Sequence, residues 1–193
     1  MSTEPATTTE QAAAPLTGRR VGWVFLSLTR IAIGFIFLWA FFDKLFGLGF
    51  STCRDPETGT ITVMCDSAWL KGAAVTEGYL NSSSGPFADF FKGLADERWT
   101  DWIFMAGLLG IGFALCFGVG TKVALFVTPL MLALMYISHS WPNQGGNTTN
   151  PFVDDHVIEA LAVIGIVLVE LGHQSIGFGE WWKRKVGVKH WTV

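Results

Sequence analysis

Four apolar runs govern what this chain can fold into. Trp23–Phe42 has Arg30 as its only charge, Trp102–Val119 and Val123–Trp141 hold no Asp, Glu, Lys or Arg, and Val157–Leu171 is interrupted only by Glu159 and Glu170. A helix needs about 20 apolar residues to cross about 30 Å of hydrocarbon. The first three runs meet that test, and the fourth meets it if its helix starts at Pro151 with Asn150 as the N-cap. Only 15% of the 193 residues are charged, against roughly 25% in a soluble domain. A soluble enzyme domain, a collagen-like repeat and a disordered chain are excluded, and a net charge of −3 offers no attraction to nucleic acid. The expected fold is an all-α membrane protein in the lipid bilayer. It is a four-transmembrane-helix antiparallel bundle with an extracytoplasmic loop containing an amphipathic helix.

The organisation follows from the runs. Residues 1–18, rich in Thr, Ala and Pro, read as a disordered cytoplasmic tail. Residues 19–176 form a single membrane domain, with spans at about 22–43, 102–120, 122–141 and 151–173 and an outer loop at 44–101. Residues 177–193 are a basic cytoplasmic tail. The first run is longer than the apolar core of a signal peptide and no small-residue cleavage site follows it, so it reads as a retained anchor. Arg19, Arg20, Lys122, Lys183, Arg184, Lys185 and Lys189 all fall on one side of such a bundle, whereas the loop from Asp43 to Asp101 has nine acidic residues against five basic. Positive charge stays inside, so both termini are expected in the cytoplasm.

Finer patterns add detail. Ala106, Gly110, Ala114 and Gly118 recur every four residues, a spacing that lets another helix approach closely. Packing inside the bundle is the expected use, and a homodimer face the alternative. Phe87, Phe90, Phe91, Leu94 and Ala95 fall at helical spacing, which predicts the amphipathic helix of the outer loop. Trp99, Trp102 and Trp141 would form its aromatic belt. Cys53 and Cys65 flank the turn Asp55–Gly59 in the same outer loop, where an oxidising compartment permits a disulfide. A staple is the expected state. Two free thiols or a redox pair are the alternatives, and the redox pair lacks a Cys-x-x-Cys spacing. Cys116, inside the second span, reads as a small core residue.

Charges inside the membrane are where function is sought, because they are costly and need partners. Arg30 lies nine residues past Val21, so about 14 Å into the first span at 1.5 Å per residue, and Glu159 lies about 12 Å along the fourth from the opposite side. The two are expected to pair near mid-bilayer. His156 and Asp155 share a helix face with Glu159. His139 lies near the outer end of the third span and Lys44 at the outer end of the first. These groups are expected to line a polar pocket in the outer half of the bundle, roofed by Trp39 and Trp141. Two readings stand: an ion pair that only locks the bundle, or a pocket for a substrate, a quinone headgroup or protons. No metal is expected, since His156-x-x-Glu159 with His139 is a spacing that arises readily by chance. Glu170 and His173 read as ordinary interfacial residues. No phosphate loop, nucleophile elbow, paired-cysteine ligand motif or tightly bound cofactor signature is present.

Three stretches carry a family resemblance. Arg30-Ile-Ala-Ile-Gly-Phe-Ile-Phe-Leu-Trp-Ala-Phe-Phe-Asp-Lys-Leu45 resembles the first span of the DoxX/DoxD family, with its arginine, a glycine four residues on (Gly34) and a lysine at the outer end (Lys44). Gly85-Pro-Phe-Ala-Asp-Phe-Phe91 resembles the family's outer segment, and Asn150-Pro-Phe-Val-Asp-Asp-His-Val-Ile-Glu159 the start of its last span. The likeness runs from about Val21 to Gly172. It implies a four-helix protein of a bacterial plasma membrane and a DoxD-like role as the large subunit of a thiosulfate:quinone oxidoreductase. By that likeness Arg30, His156 and Glu159 would be catalytic and Arg30, Lys44 and Asp155 would bind substrate, with quinone as the electron-accepting substrate; His139, from its position at the outer end of the third span, would join the substrate-binding set. A small partner subunit or a larger membrane complex is implied. The alternative is a non-catalytic accessory subunit of a respiratory or redox complex, with a small-molecule or ion permease third.

Overall fold

The structure is a computed structural model that describes residues 16–141 and 152–187. The tail at 1–15, the Asn150-Pro151 start signal, most of the shorter outer loop and Lys189 lie outside the described residues. The described chain is helical: α1 (Leu16–Phe46), α2 (Glu77–Asn81), α3 (Ala88–Lys92), α4 (Arg98–Phe117), α5 (Thr121–Met135) continuing as a turn of π-helix (Tyr136–Ser140), α6 (Asp155–Glu170) and α7 (Gly179–Val186). Among the described residues the β content is one isolated bridge, between Arg54 and Ile61.

Three helices are long and apolar enough to cross a membrane: Gly18–Phe46, Arg98–Phe117 and Thr121–His139. Their outward faces carry Phe25, Phe35, Phe113, Phe126 and Leu130, the surface expected of a protein that associates with a bilayer. With 16 residues, α6 is about 24 Å long, shorter than the usual span. It packs along α5 and against α1, while α1 packs chiefly on α4. The end of the molecule where α1 begins is here called the lower end, and the end carrying residues 47–97 the upper end.

Close approach of α1 and α4 rests on two glycines. A Cβ on Gly34 would lie 2.7 Å from the Cys116 backbone nitrogen, and one on Gly112 would lie 2.7 Å from the Leu38 nitrogen. The small-residue stripe expected to pack in the bundle does so only in its lower half. Ala114 and Gly118 are buried, but Ala106 and Gly110 are exposed and a Cβ on Gly110 would meet nothing within 4 Å. The core beside these contacts is apolar: Ile33, Phe37, Phe41, Met105, Leu108, Ile111, Leu115, Leu132, Val163 and Val167. Gly118 and Gly120, both at φ +72°, make the tight turn between α4 and α5 that a side chain would strain.

The upper loop is tied down by polar groups. Cys53 and Cys65 form a disulfide. Asp43, fully buried near the end of α1, accepts hydrogen bonds from the Phe50 and Ser51 amides at 2.8 and 2.9 Å. Asp101 in the first turn of α4 accepts from the amide and hydroxyl of Thr76, both at 2.8 Å. The amphipathic segment is helical over only five residues, Ala88–Lys92. Phe91 and Ala95 are buried, whereas Phe87 and Phe90 face outward.

Candidate functional site

The expected pair Arg30–Glu159 does not form. Arg30 Nε donates to Glu170 Oε2 at 2.6 Å, and each side chain is 1% exposed. Its other nitrogens are also used: Nη1 donates to the Leu115 carbonyl and Nη2 to the Ile176 carbonyl at 2.5 Å. Ser27 Oγ donates to the second Glu170 oxygen at 2.6 Å and accepts from the Ile176 amide at 3.3 Å. Every charge and most donors in this buried knot are therefore satisfied, which is the condition for tolerating such a pair away from water.

The geometry explains why Glu170 wins. Arg30 faces the last turns of α4 and α6, as its bonds to Leu115 and Glu170 require. Glu159 is eleven residues earlier on α6, so about 16 Å further up the helix. The chain after α6 turns back beneath α4, where the Phe178 amide bonds the Phe117 carbonyl at 2.8 Å and Gln174 Nε2 the Gly118 carbonyl at 3.1 Å. Gly177, at φ +132°, lies where a Cβ would sit 3.1 Å from Arg30 Nη2. Glu170, expected as an interfacial residue, is instead the central acid of the lower half. Part of the stretch expected as a basic tail forms α7, whose Lys183 Nζ binds the Leu171 carbonyl at 3.0 Å.

Lys44 is a third, separate position. Its ammonium donates to Ser51 Oγ at 3.2 Å and lies 5.9 Å above the Phe104 ring. It lies in the last turn of α1, bonds the disulfide-bearing loop through Ser51, and joins neither Arg30 nor Glu159.

The other sequence-nominated groups do gather. They sit at the upper end, where the π-helical turn after α5 meets the start of α6. His139 Nδ1 is 3.0 Å from Ser138 Oγ, and its Nε2 is 3.0 Å from Ser82 Oγ. The Tyr79 ring stacks on the imidazole with centroids 4.1 Å apart, and its hydroxyl is 3.0 Å from Ser138 Oγ. Across from it, His156 Nδ1 lies 2.8 Å from Asp154 Oδ2 and 3.3 Å from Asp155 Oδ1. His156 is close enough to act electrostatically on His139, and Asp154 on Tyr79. Glu159, partly buried one turn below, feels Asp155, His156 and Asp154. Burial pushes the Tyr79 hydroxyl above its ordinary pKa, partly offset by its bond to Ser138. Trp39 and Trp141, expected as a roof, remain about 40% and 37% exposed.

Sequence reasoning missed Asp154, Tyr79 and Ser138 in this cluster. Asp154 had a signal: its side chain caps α6 by accepting from the Val157 amide at 3.2 Å, the usual role of Asp at a helix start. Tyr79 and Ser138 had none, since their meeting depends on how the upper loop folds over α5. The oxygen atoms of Asp154 and Asp155 and a ring nitrogen of His156 lie within 4.8 Å of one another, but Asp155 is 82% exposed and the trio equally serves as a helix cap.

What the upper cluster can do is accept and pass protons. It joins two imidazoles, three carboxylates and a phenol at one end of the helices, within reach of the aqueous side. The lower knot cannot easily do so, being closed on all sides by its own hydrogen bonds. No protein-family model matches the chain, and neither does a curated protein or a solved structure.

Proposed function

We propose that the chain is a DoxX/DoxD-like subunit of a membrane redox assembly. In this reading α1, α4, α5 and α6 make a four-span antiparallel bundle, with Asp154 capping the upper end of α6. Both termini are cytoplasmic, because Arg19, Arg20, Lys122, Lys183, Arg184 and Lys185 share the lower end. The chemistry assigned to this chain is proton exchange at the upper cluster during reduction of a quinone, a step that consumes two protons for every two electrons. Glu159 and His156 carry the protons, His139 and Tyr79 face them across the cluster, and Asp155 sits at its edge. Electrons come from thiosulfate or another small sulfur species, directly or through a partner subunit.

The observation that carries this reading is the division of the ionisable groups. His139 and His156 come from different helices within electrostatic reach of one another, and His156 acts on Glu159; the Tyr136 hydroxyl, donating to the Phe152 carbonyl at 2.9 Å, ties the two segments together, while Arg30 is consumed by Glu170. Arg30 is therefore assigned a structural role, and anion binding by Arg30 and Lys44 together is dropped. A second reading, a non-catalytic accessory subunit, draws on the same saturation of Arg30 and on the exposed face at Ala106 and Gly110. The test is thiosulfate-driven reduction of a quinone analogue by membranes containing the chain. Loss of the rate in Glu159→Gln and His156→Ala supports the catalytic reading. A native rate in both, with copurification of a larger complex, supports the accessory one.

A further inference from the structure

The lower end holds a groove that the proposed redox role does not use. Arg19, Arg20, Trp23 and His173 line a space of about 320 Å³. Trp23 and His173 form one wall, with their rings edge to face at 5.7 Å between centroids. Arg19 and Arg20 are exposed and make no ion pair with a described residue. Glu180 acts on His173 but is already engaged by Lys183 at 3.0 Å and by the Gln174 amide at 3.2 Å.

The position of the groove follows from helix lengths. With 31 residues, α1 is about 46 Å long, comparable with the 40–45 Å of a bilayer measured through its headgroups. Its lower part runs past the ends of α4 and α6, as Ser27 and Arg30 already meet the last turns there. Val21, Val24, Phe25 and Leu28 present apolar side chains outward just above the two arginines. Beside them, α7 and the segment before it expose Ile176, Phe178 and Trp181 while Arg184 and Lys185 remain in water. That is the pattern of a helix lying in the interface. Apolar surface therefore ends where guanidinium groups begin, and a tryptophan marks the boundary.

We infer that the groove of Arg19, Arg20, Trp23 and His173 is a headgroup site for an anionic phospholipid. The two guanidinium groups bind the phosphodiester oxygens through charge-assisted hydrogen bonds. The Trp23 ring supports the glycerol region, and the acyl chains run up the apolar face at Phe25 and Leu28. Zwitterionic lipids fit less well, because the described residues that line the groove offer a choline group no carboxylate.

The test uses the full chain in detergent, with phosphatidylglycerol and phosphatidylcholine titrated separately and bound lipid counted by native mass spectrometry. Phosphatidylglycerol is expected to bind more tightly than phosphatidylcholine. The double variant Arg19→Gln/Arg20→Gln should weaken phosphatidylglycerol by about thirtyfold, roughly fivefold per arginine near the surface, with an unchanged thermal midpoint in lipid-free detergent. Trp23→Leu, which keeps all the charge, should also weaken it. Lys122→Gln, a charge lost at the same end but outside the groove, should leave it within twofold. Equal binding of the two lipids overturns the inference, as does full binding by the double arginine variant. So does an effect of Lys122→Gln as large as that of the double variant, which would mean diffuse attraction. Displacement by inorganic phosphate at equal concentration overturns it too, since the site would then hold a free anion and not a lipid.

Discussion

Arg30 and Glu170 are 140 residues apart in the chain and 2.6 Å apart in the fold, both almost fully buried. Their contact joins α1 to the end of α6. The remaining guanidinium nitrogens reach Leu115 on α4 and Ile176 on the returning segment. One side chain thus fastens four pieces of the lower end. Of the two readings of Arg30, this arrangement matches the ion pair that locks the helices together, with Glu170 in the place expected for Glu159.

Removing one member of this pair should cost far more than removing both. Arg30→Leu leaves the Glu170 carboxylate buried without its cation, a change worth about 3–5 kcal/mol of stability. Arg30→Leu/Glu170→Leu should recover most of that loss, because apolar replacement of a whole buried pair is often neutral. Unfolding of the wild type and the two variants in one detergent measures the difference.

Two glycine substitutions on α4 should have opposite outcomes. Gly112→Ala places a Cβ 2.7 Å from the Leu38 backbone nitrogen, and separating α1 from α4 should cost about 1–3 kcal/mol. Gly110→Ala meets nothing within 4 Å and should be neutral or stabilising by up to about 1 kcal/mol, since alanine is the better helix former. Thermal midpoints of the two variants make the comparison. A drop for Gly110→Ala would mean that its open face is covered in the detergent-solubilised protein.

Reduction of Cys53–Cys65 should loosen the upper loop without separating the helices. Twelve residues of sequence separation correspond to about 3 kcal/mol of loop-closure entropy. Cys53→Ser/Cys65→Ser should therefore become sensitive to proteolysis between Asp55 and Thr60, with the helical circular dichroism retained. Cutting at the same rate before and after reduction would contradict this.

Tyr79 should ionise above the ordinary range of a tyrosine, because burial disfavours the phenolate. The sign of the linkage is fixed by that direction. Below the unfolded value of about 10 its contribution to stability is fully present, and it is lost as the pH rises through the higher folded value. Ultraviolet titration of the protein minus that of Tyr79→Phe isolates this one phenol. An ordinary midpoint in the difference curve would place Tyr79 in water and away from His139.

How much of this could be read from the chain differs from element to element. Three spans were legible because a run such as Trp102–Val119 is apolar around its whole circumference, and nothing but lipid or a large core accepts that. The cysteine pair was legible because both lie in one loop. The partner of Arg30 was not. Choosing between Glu159 and Glu170 requires knowing how far α1 slides along α4 and α6, and periodicity does not reveal the close approach of Gly34 and Gly112 that registers α1 on α4. Nor does periodicity reveal that the segment after Glu170 folds back under the bundle, which depends on Gln174 and Gly177 meeting the end of α4. The Phe87–Ala95 pattern suggested a longer helix than the five residues that form, because two of its five apolar side chains face outward and so do not report core packing. For His139, His156 and Glu159 the sequence places all three at one end of the molecule, because position along an apolar run fixes the end, whereas the contacts each group makes there depend on the folded upper loop.

The most direct test of the account is the Glu159→Gln variant, assayed for thiosulfate-driven reduction of a quinone analogue across the pH range alongside its thermal midpoint. The account predicts a native midpoint and a rate lowered by about a hundredfold or more, the usual cost of losing a positioned proton carrier, together with an altered pH profile. A wild-type rate and pH profile in that variant would contradict it, and would leave the upper cluster as a cap on α6 in an accessory subunit.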